Sequence, residues 1–263
     1  MNRIPFVKAT AYGNDFLIVG KEHQGADAAA LTRAMCERNH GIGADGVEWL
    51  SEVTASGARI ELINADGSFA ELSGNGTRCV AAYLTSQGHH GDLAIATDAG
   101  PRLCRPVSSD GRSYRFLTGM GQPEVGAPFV VDVALGSYRG VPVSMGNPHF
   151  VIFVAEFPGS WQDISRRIQA RMDVFPQGIN VEWVKVTSPD EIAIRIYERG
   201  AGETQSSGTG SSASAAASIA FAGCSETLTV HAPGGSQRVE WHPGTPLMLE
   251  GEAHVICVGE YYL

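Results

Sequence analysis

Residues 12–19, YGNDFLIV, return as MGNPHFVIF at 145–153, and from there on the second half of the chain repeats the first. Asn14 falls on Asn147 at an offset of 133. Three further matches follow at 134: GVEWL (46–50) on NVEWV (180–184), RIELINADG (59–67) on AIRIYERGA (193–201), and SGNGT (73–77) on SGTGS (207–211). One such match arises by chance; four in the same order at a nearly constant spacing require two copies of one fold. The period is half of the 263 residues, which predicts two equivalent domains, each long enough to bury a core of its own. The first copy is assigned to 1–120, with a final strand at about 253–263 able to return to it, and the second to 121–252.

Within each copy the alternating or β-rich runs PFVKA, DFLIV, ARIELI, HFVIF, INVEWVKV and EIAIRIY predict strands. Two helices per copy interrupt them, at 26–38 and 75–87 in the first and at 160–171 and 209–222 in the second. The helix at 75–87 is rich in Ala, Leu and Tyr, and its counterpart at 209–222 is made of small residues that suit tight packing inside a sheet. The fold class is therefore α+β: two pseudo-symmetric domains, each a β-sheet or barrel-like layer wrapped around a central helix. GMGQPEVGAP (119–128), rich in Gly and Pro near the midpoint, reads as the linker.

Lys and Arg total 19 against 28 Asp and Glu, a formal charge of -9, with no basic track to follow a phosphate backbone, so nucleic acid is not an expected partner. No stretch approaches the roughly 18 apolar residues of a membrane span, and the N-terminus lacks a signal-peptide pattern. A soluble, cytoplasmic chain with no membrane partner is expected. Five cysteines, Cys36, Cys79, Cys104, Cys224 and Cys257, are odd in number and scattered, which argues for buried free thiols and against zinc or a disulfide framework. No metal site is expected. No heptad or apolar stripe sets the oligomeric state, and a homodimer is left open.

The Gly-Asn-Gly turn at Gly74, Asn75 and Gly76 and the Gly-Thr-Gly turn at Gly208, Thr209 and Gly210 each open a central helix. The first backbone N–H groups of a helix lack partners, and its dipole adds about half a positive charge there, so both ends favour an anion. Glycine lets the backbone approach a carboxylate that a side chain would hold off. If the two domains face each other across a cleft, residues 73 and 207 lie on opposite sides of one ligand. That arrangement suits inversion of a stereocentre beside a carboxylate, which needs a base on one face, an acid on the other, and donors for the carbanion-like transition state. Asn14, Asn64, Asn147, Asn180, Glu198 and Arg199 surround these loops and are able to orient a polar substrate, although asparagines also cap turns and Glu198 with Arg199 also fits an exposed ion pair.

GNDF (13–16), GIGADG (41–46), NADGS (64–68), GNGTRC (74–79), GNPH (146–149), GINV (178–181) and ERGAGET (198–204) with GTG (208–210) together resemble the diaminopimelate epimerase family, over essentially the whole chain. The resemblance implies a cofactor-independent enzyme that converts LL- to meso-diaminopimelate in lysine and peptidoglycan synthesis. It implies that Asn14, Asn64, Asn147, Asn180, Glu198 and Arg199 bind the polar groups of the amino acid, that the two glycine loops cradle its α-carboxylate, and that His149 lines the cleft. A packed strand histidine is the competing reading of His149.

The departure from the family falls at the centre of the chemistry. The family places a cysteine before each glycine loop, one thiolate as base and one thiol as acid, and this chain has Ser73 and Ser207. Cys79 matches a second, structural cysteine of the first motif. A thiol ionises near about 8.5, lower still at a helix N-terminus, whereas an unassisted hydroxyl ionises nearer to water, at roughly 15.7. A deficit of about seven units approaches ~10 kcal/mol, more than one helix terminus restores. The serines are then either engineered replacements in an ordinary epimerase or native residues, and the serine-rich SSGTGSSASA favours the second. A native variant is a slow isomerase with another base, Asp66 or Glu203, or an amino-acid-binding protein without turnover. Both carboxylates also fit the role of loop stabilisers. A serine hydrolase with His149 as base is disfavoured, since neither serine sits in a G-x-S-x-G elbow, and the absence of G-x-x-x-x-G-K-[ST] disfavours phosphate binding.

Overall fold

The computed structural model describes residues 3–263, and its strands form where alternation or two-sided burial allows. Strand β1 (Arg3–Ala11) alternates, burying Val7, Ala9 and Ala11 on one face. Strand β2 (Asn14–Gly20) instead buries Phe16, Leu17, Ile18 and Val19 in succession, because helices cover both of its faces. Phe16 and Ile18 pack with the inner helix of their unit, Leu17 and Val19 with the outer one.

The chain divides into two compact units, one running to Thr118 and including Gly251–Leu263, the other Gly119–Glu250. The first adds β3 (Gly46–Thr54), β4 (Gly57–Asn64), the short β5 (Phe69–Ala70), β6 (Leu93–Thr97), β7 (Gly100–Asp110), most of β8 (Ser113–Gly121) and, from the other end of the chain, part of a long final strand, Leu247–Tyr262. Pairing runs β1, β2, β3, β4, β6, β7, β8, final strand and back to β1, a closed eight-strand barrel. Helix α1 (Ala28–Cys36), capped by Asp27, lies outside with one buried face, whereas α2 (Gly74–Ser86) is buried on nearly every side and fills the barrel.

The second unit contains β9 (Glu124–Val125), β10 (Phe129–Val133), β11 (Gly136–Ser144), β12 (Pro148–Phe153), β13 (Asn180–Ser188), β14 (Glu191–Glu198), β15 (Gly202–Thr204), β16 (Thr227–Ala232), β17 (Gly235–Glu240) and the start of the final strand, β18. Helix α3 (Trp161–Gln169) lies outside, and α4 (Gly208–Phe221), almost entirely Gly, Ser and Ala over its buried length, sits inside. The connections reproduce those of the first unit. β2 and β3 are parallel, as are β12 and β13, and in both units the next pairings run antiparallel and then parallel across the inner helix. Ile18 stands opposite Glu48 and Val151 opposite Glu182, so the register repeats as well. Trp49 and Trp183 each donate their indole N–H to a hydroxyl on the outer helix, Thr32 at 3.3 Å and Ser165 at 2.8 Å.

The Gly/Pro-rich stretch at 119–128, read as the linker, starts where the chain passes from one unit to the other and is itself structured: Gly119–Gly121 completes β8, and Glu124–Val125 pairs with β11 while Gly126 N–H donates to the Pro142 carbonyl. Backbone bonding there outweighs the breaker composition. One expectation is corrected: of the five cysteines only Cys36, Cys79, Cys104 and Cys224 are buried; Cys257 is exposed, in the run Ile256–Val258 where alternation gives way to exposure on both faces beside the register shift against β1. Among the described residues no helix is long and apolar enough to cross a membrane.

Candidate active site: two capped helix N-termini

In the first unit Ser73 is the N-cap of α2, extended at φ -124° and ψ 120°, and its Oγ accepts from Gly76 N–H at 3.0 Å. The hydroxyl thus does what serine does well at a helix start, satisfying one of the unpaired donors. Asn75, buried in the same turn, donates to Asn14 Oδ1 at 2.7 Å and accepts from the buried Arg78 guanidinium. Asn14 in turn donates to Asp45 Oδ2 at 3.2 Å. Gly74, Asn75, Gly76, Asn14 and Ser73 therefore form one group at the mouth of α2. Asn64, at the end of β4, stands opposite Gly46 in the sheet and spends its side-chain amide on Ser68 Oγ at 3.0 Å.

The second unit builds a longer chain of bonds. Ser207 caps α4, accepting from Gly210 N–H at 3.2 Å. Its Oγ lies 3.4 Å from Thr209 Oγ1, which accepts at 3.4 Å from Asn147, and Asn147 Oδ1 faces His149 Nε2 at 3.0 Å. The ring's other nitrogen, Nδ1, meets Glu182 Oε1 at 2.7 Å. His149 is a buried strand histidine with both nitrogens occupied, neither by Ser207, which leaves no hydrolase triad. Asn180 donates to the Pro148 carbonyl at 2.9 Å and accepts from Arg199 N–H at 2.9 Å, while the exposed Arg199 guanidinium reaches the Gln177 carbonyl. Burial pushes the Glu198 carboxyl up, and the nearby Ser207 and Thr204 hydroxyls and His149 pull it back.

The alternative bases are spent elsewhere. Asp66 Oδ1 accepts from Ser68 N–H at 2.8 Å and Oγ at 2.6 Å, bonds that hold its carboxyl below the usual range. Glu203 accepts from Gln162 at 3.2 Å. Burial pushes the Cys79 thiol up, which keeps it from serving as a thiolate.

Two residues that the sequence reading matched only as part of the repeat prove to be buried beneath the helix starts. Glu48 and Glu182 are both fully buried. A methyl group built on Gly76 falls 1.8 Å from Glu48 Oε1 and 3.2 Å from Ser73 Cβ; on Gly210 it falls 3.0 Å from Glu182 Oε1 and 3.1 Å from Ser207 Cβ. Burial pushes the Glu48 carboxyl up to about 8 and raises Glu182 as well, the latter against the lowering effect of His149. The duplicated VEW was the signal for them.

The sequence profile of the family described as diaminopimelate epimerase matches residues 6–125 and 141–256. The chain belongs to that family. Diaminopimelate epimerase of Pelotomaculum thermopropionicum is 33% identical over 276 aligned residues, covering 97% of this chain and 98% of that one. The enzyme of the same name from Moorella thermoacetica is 34% identical, covering 98% and 99%. In fold the chain resembles a hydroxyproline epimerase from Agrobacterium vitis, crystallised with trans-4-hydroxy-L-proline, at a TM-score of 0.73 and 14% identity over 99% of this chain and 91% of that one. As a diaminopimelate epimerase family member the chain is an isomerase of the epimerase class.

Proposed function

We propose that this chain inverts the α-carbon of a diaminopimelate-class amino acid without a cofactor, with Ser73 and Ser207 at the positions where the family carries cysteines. The observation that carries this reading is the matched pair of helix starts, each with a hydroxyl cap, a glycine in the first turn and a buried carboxyl behind it. Inversion needs two proton-handling positions, and the chain supplies one in each unit. In this reading Asn14, Asn64 and Asn75 of the first unit and Asn147, His149, Asn180, Glu198, Arg199 and Thr209 of the second bind or orient the amino acid's polar groups. Gly74, Gly76, Gly208 and Gly210 admit its carboxylate to the helix N–H groups. A hydroxyl in place of a thiol makes proton removal slow.

Incubation with diaminopimelate stereoisomers in D2O tests the assignment. The chain as it stands exchanges its substrate's α-hydrogen slowly, and Ser73→Cys with Ser207→Cys accelerates exchange by about a thousandfold or more, as expected from the difference in acidity. No α-deuterium in either protein rejects epimerisation of this substrate class. A second reading, amino-acid binding without turnover, is favoured by one observation: both hydroxyls already accept from the helix backbone. Calorimetric binding with no exchange at long times, even in the double-cysteine protein, selects it.

A further inference from the structure

Glu48 has no counterpart to the His149 ring that holds one carboxyl oxygen of Glu182. It lies on the α2-facing side of β3 with Leu50, opposite Ile18 of β2 and Leu62 of β4. Neither of its carboxyl oxygens has a hydrogen-bond partner among the described residues. In the second unit the equivalent carboxyl meets His149, paired with Asn180 in the parallel register; the residue at that place in the first unit, paired with Gly46, is Phe16. An isolated buried carboxyl is expensive unless a partner or a function keeps it. Its Oε1 and the Ser73 Cβ meet at one spot, the missing side chain of Gly76, so only glycine there leaves the space. The Cys79 thiol on α2 registers the Glu48 charge, and burial is what raises the Glu48 carboxyl.

We propose that Glu48 is the proton partner of Ser73, acting through that hydroxyl. This rests on the epimerase reading above. As the substrate's α-C–H bond breaks, its proton passes to Ser73 Oγ while the Ser73 hydroxyl proton passes to the Glu48 carboxylate. The electron pair stays on the substrate and spreads into its carboxylate, facing the first-turn N–H groups of α2. Serine ends neutral and Glu48 ends protonated; the reverse step returns the proton to the α-carbon. The relay replaces an alkoxide by a carboxyl group as the place where the proton resides, which removes most of the acidity deficit of a lone hydroxyl. Among the described residues Ser73 Oγ accepts from Gly76 N–H, which leaves its own hydrogen for another acceptor, and Glu48 has no hydrogen bond to give up in turning toward it.

The test reads the coupling first without any substrate. In a protein carrying Cys257→Ser, to remove the exposed thiol, and Ser73→Cys, the rate of alkylation by iodoacetamide is followed against pH with and without Glu48→Gln. The proposal expects a two-step profile with an inflection near pH 8 when Glu48 is present, a single step with Glu48→Gln, and at least threefold faster alkylation in the latter near pH 8. In the protein with Ser73 intact, Glu48→Gln slows α-deuterium exchange at least tenfold with KM unchanged, and Glu48→Asp leaves an intermediate rate with the pH inflection retained. Coincident alkylation profiles overturn the proposal, as does exchange that Glu48→Gln leaves untouched. If Glu48→Gln does not fold, Glu48→Leu takes its place in both arms. Divergent alkylation profiles with no exchange in any variant support the Glu48–Ser73 coupling and reject the epimerase reading instead.

Discussion

Glu48 makes a prediction about stability that does not depend on turnover. Its folded-state carboxyl ionises at about 8, well above an ordinary glutamate, so between roughly pH 4.5 and 8 the folded chain holds a proton that the unfolded chain has released. Stability is therefore undiminished by this group below that window, falls as pH rises through it, and levels off above pH 8. Glu48→Gln, which removes only the ionisation, should lie close to the parent at pH 5 and exceed it by a few kcal/mol at pH 9 in urea unfolding. Equal pH dependence in the two proteins would mean that the carboxyl finds a partner on ionising. The same packing sets a second expectation. Gly76→Ala drives a methyl into Glu48 Oε1 and should cost about 1–3 kcal/mol, whereas in a Glu48→Ala background it should be neutral or stabilising. A double-mutant cycle by chemical denaturation measures that coupling. At residue level the duplicated VEW marked the position but not its burial, because strand alternation alone assigns a glutamate there to the solvent side. The strand is in fact covered on both faces, Val47 and Trp49 under α1 and Glu48 with Leu50 toward α2, so the period-of-two rule had no polar side to assign.

At the scale of the elements the helices were legible almost to the residue. The 75–87 and 209–222 segments became Gly74–Ser86 and Gly208–Phe221, and the outer pair at 26–38 and 160–171 became Ala28–Cys36 and Trp161–Gln169. Small-residue composition marked α4 as an inner helix, since Gly, Ser and Ala let a barrel close on it tightly, whereas α2 fills its barrel with larger residues such as Arg78, Val80 and Leu84. The role of the two serines was less legible, because a sequence does not separate a cap from a reacting group. The structure gives both residues a capping bond, and that bond sets a trade-off. Cysteine is a poor N-cap, so Ser73→Cys with Ser207→Cys should raise α-hydrogen exchange while lowering unfolding free energy by about 1 kcal/mol per site. Activity assays and urea melts on one preparation check both halves. A double variant that gains exchange at no cost in stability would show that the caps contribute nothing to the inner helices.

On the scale of the whole molecule the duplicated sequence accounts for two units of one topology, but the repeat itself does not specify how the first barrel closes, beyond a final strand at about 253–263 able to return to it. Its last stave comes from the far end of the chain: Arg3 pairs with Tyr262 and Thr10 with His254, while β8 takes the other edge of the same strand. These are contacts of the longest possible sequence separation, the kind that form late and hold a slow-folding β structure open until the entire chain is available. A chain ending at Glu250 should thus leave β1 and β8 as bare edges, with Val7, Ala9 and Phe116 of the barrel core no longer sealed. Trp49 reports on this unit alone, as the other three tryptophans, Trp161, Trp183 and Trp241, belong to Gly119–Glu250. The truncated chain should lose the Trp49 component of its fluorescence, obtained by difference against Trp49→Phe, and amide protection through β1–β4, while the second unit's aromatic cluster around Phe150, Phe175 and Trp183 keeps its native signals. Native Trp49 fluorescence in that chain would show that seven staves and α2 suffice to hold the barrel, and that β18 merely closes an edge already stable without it.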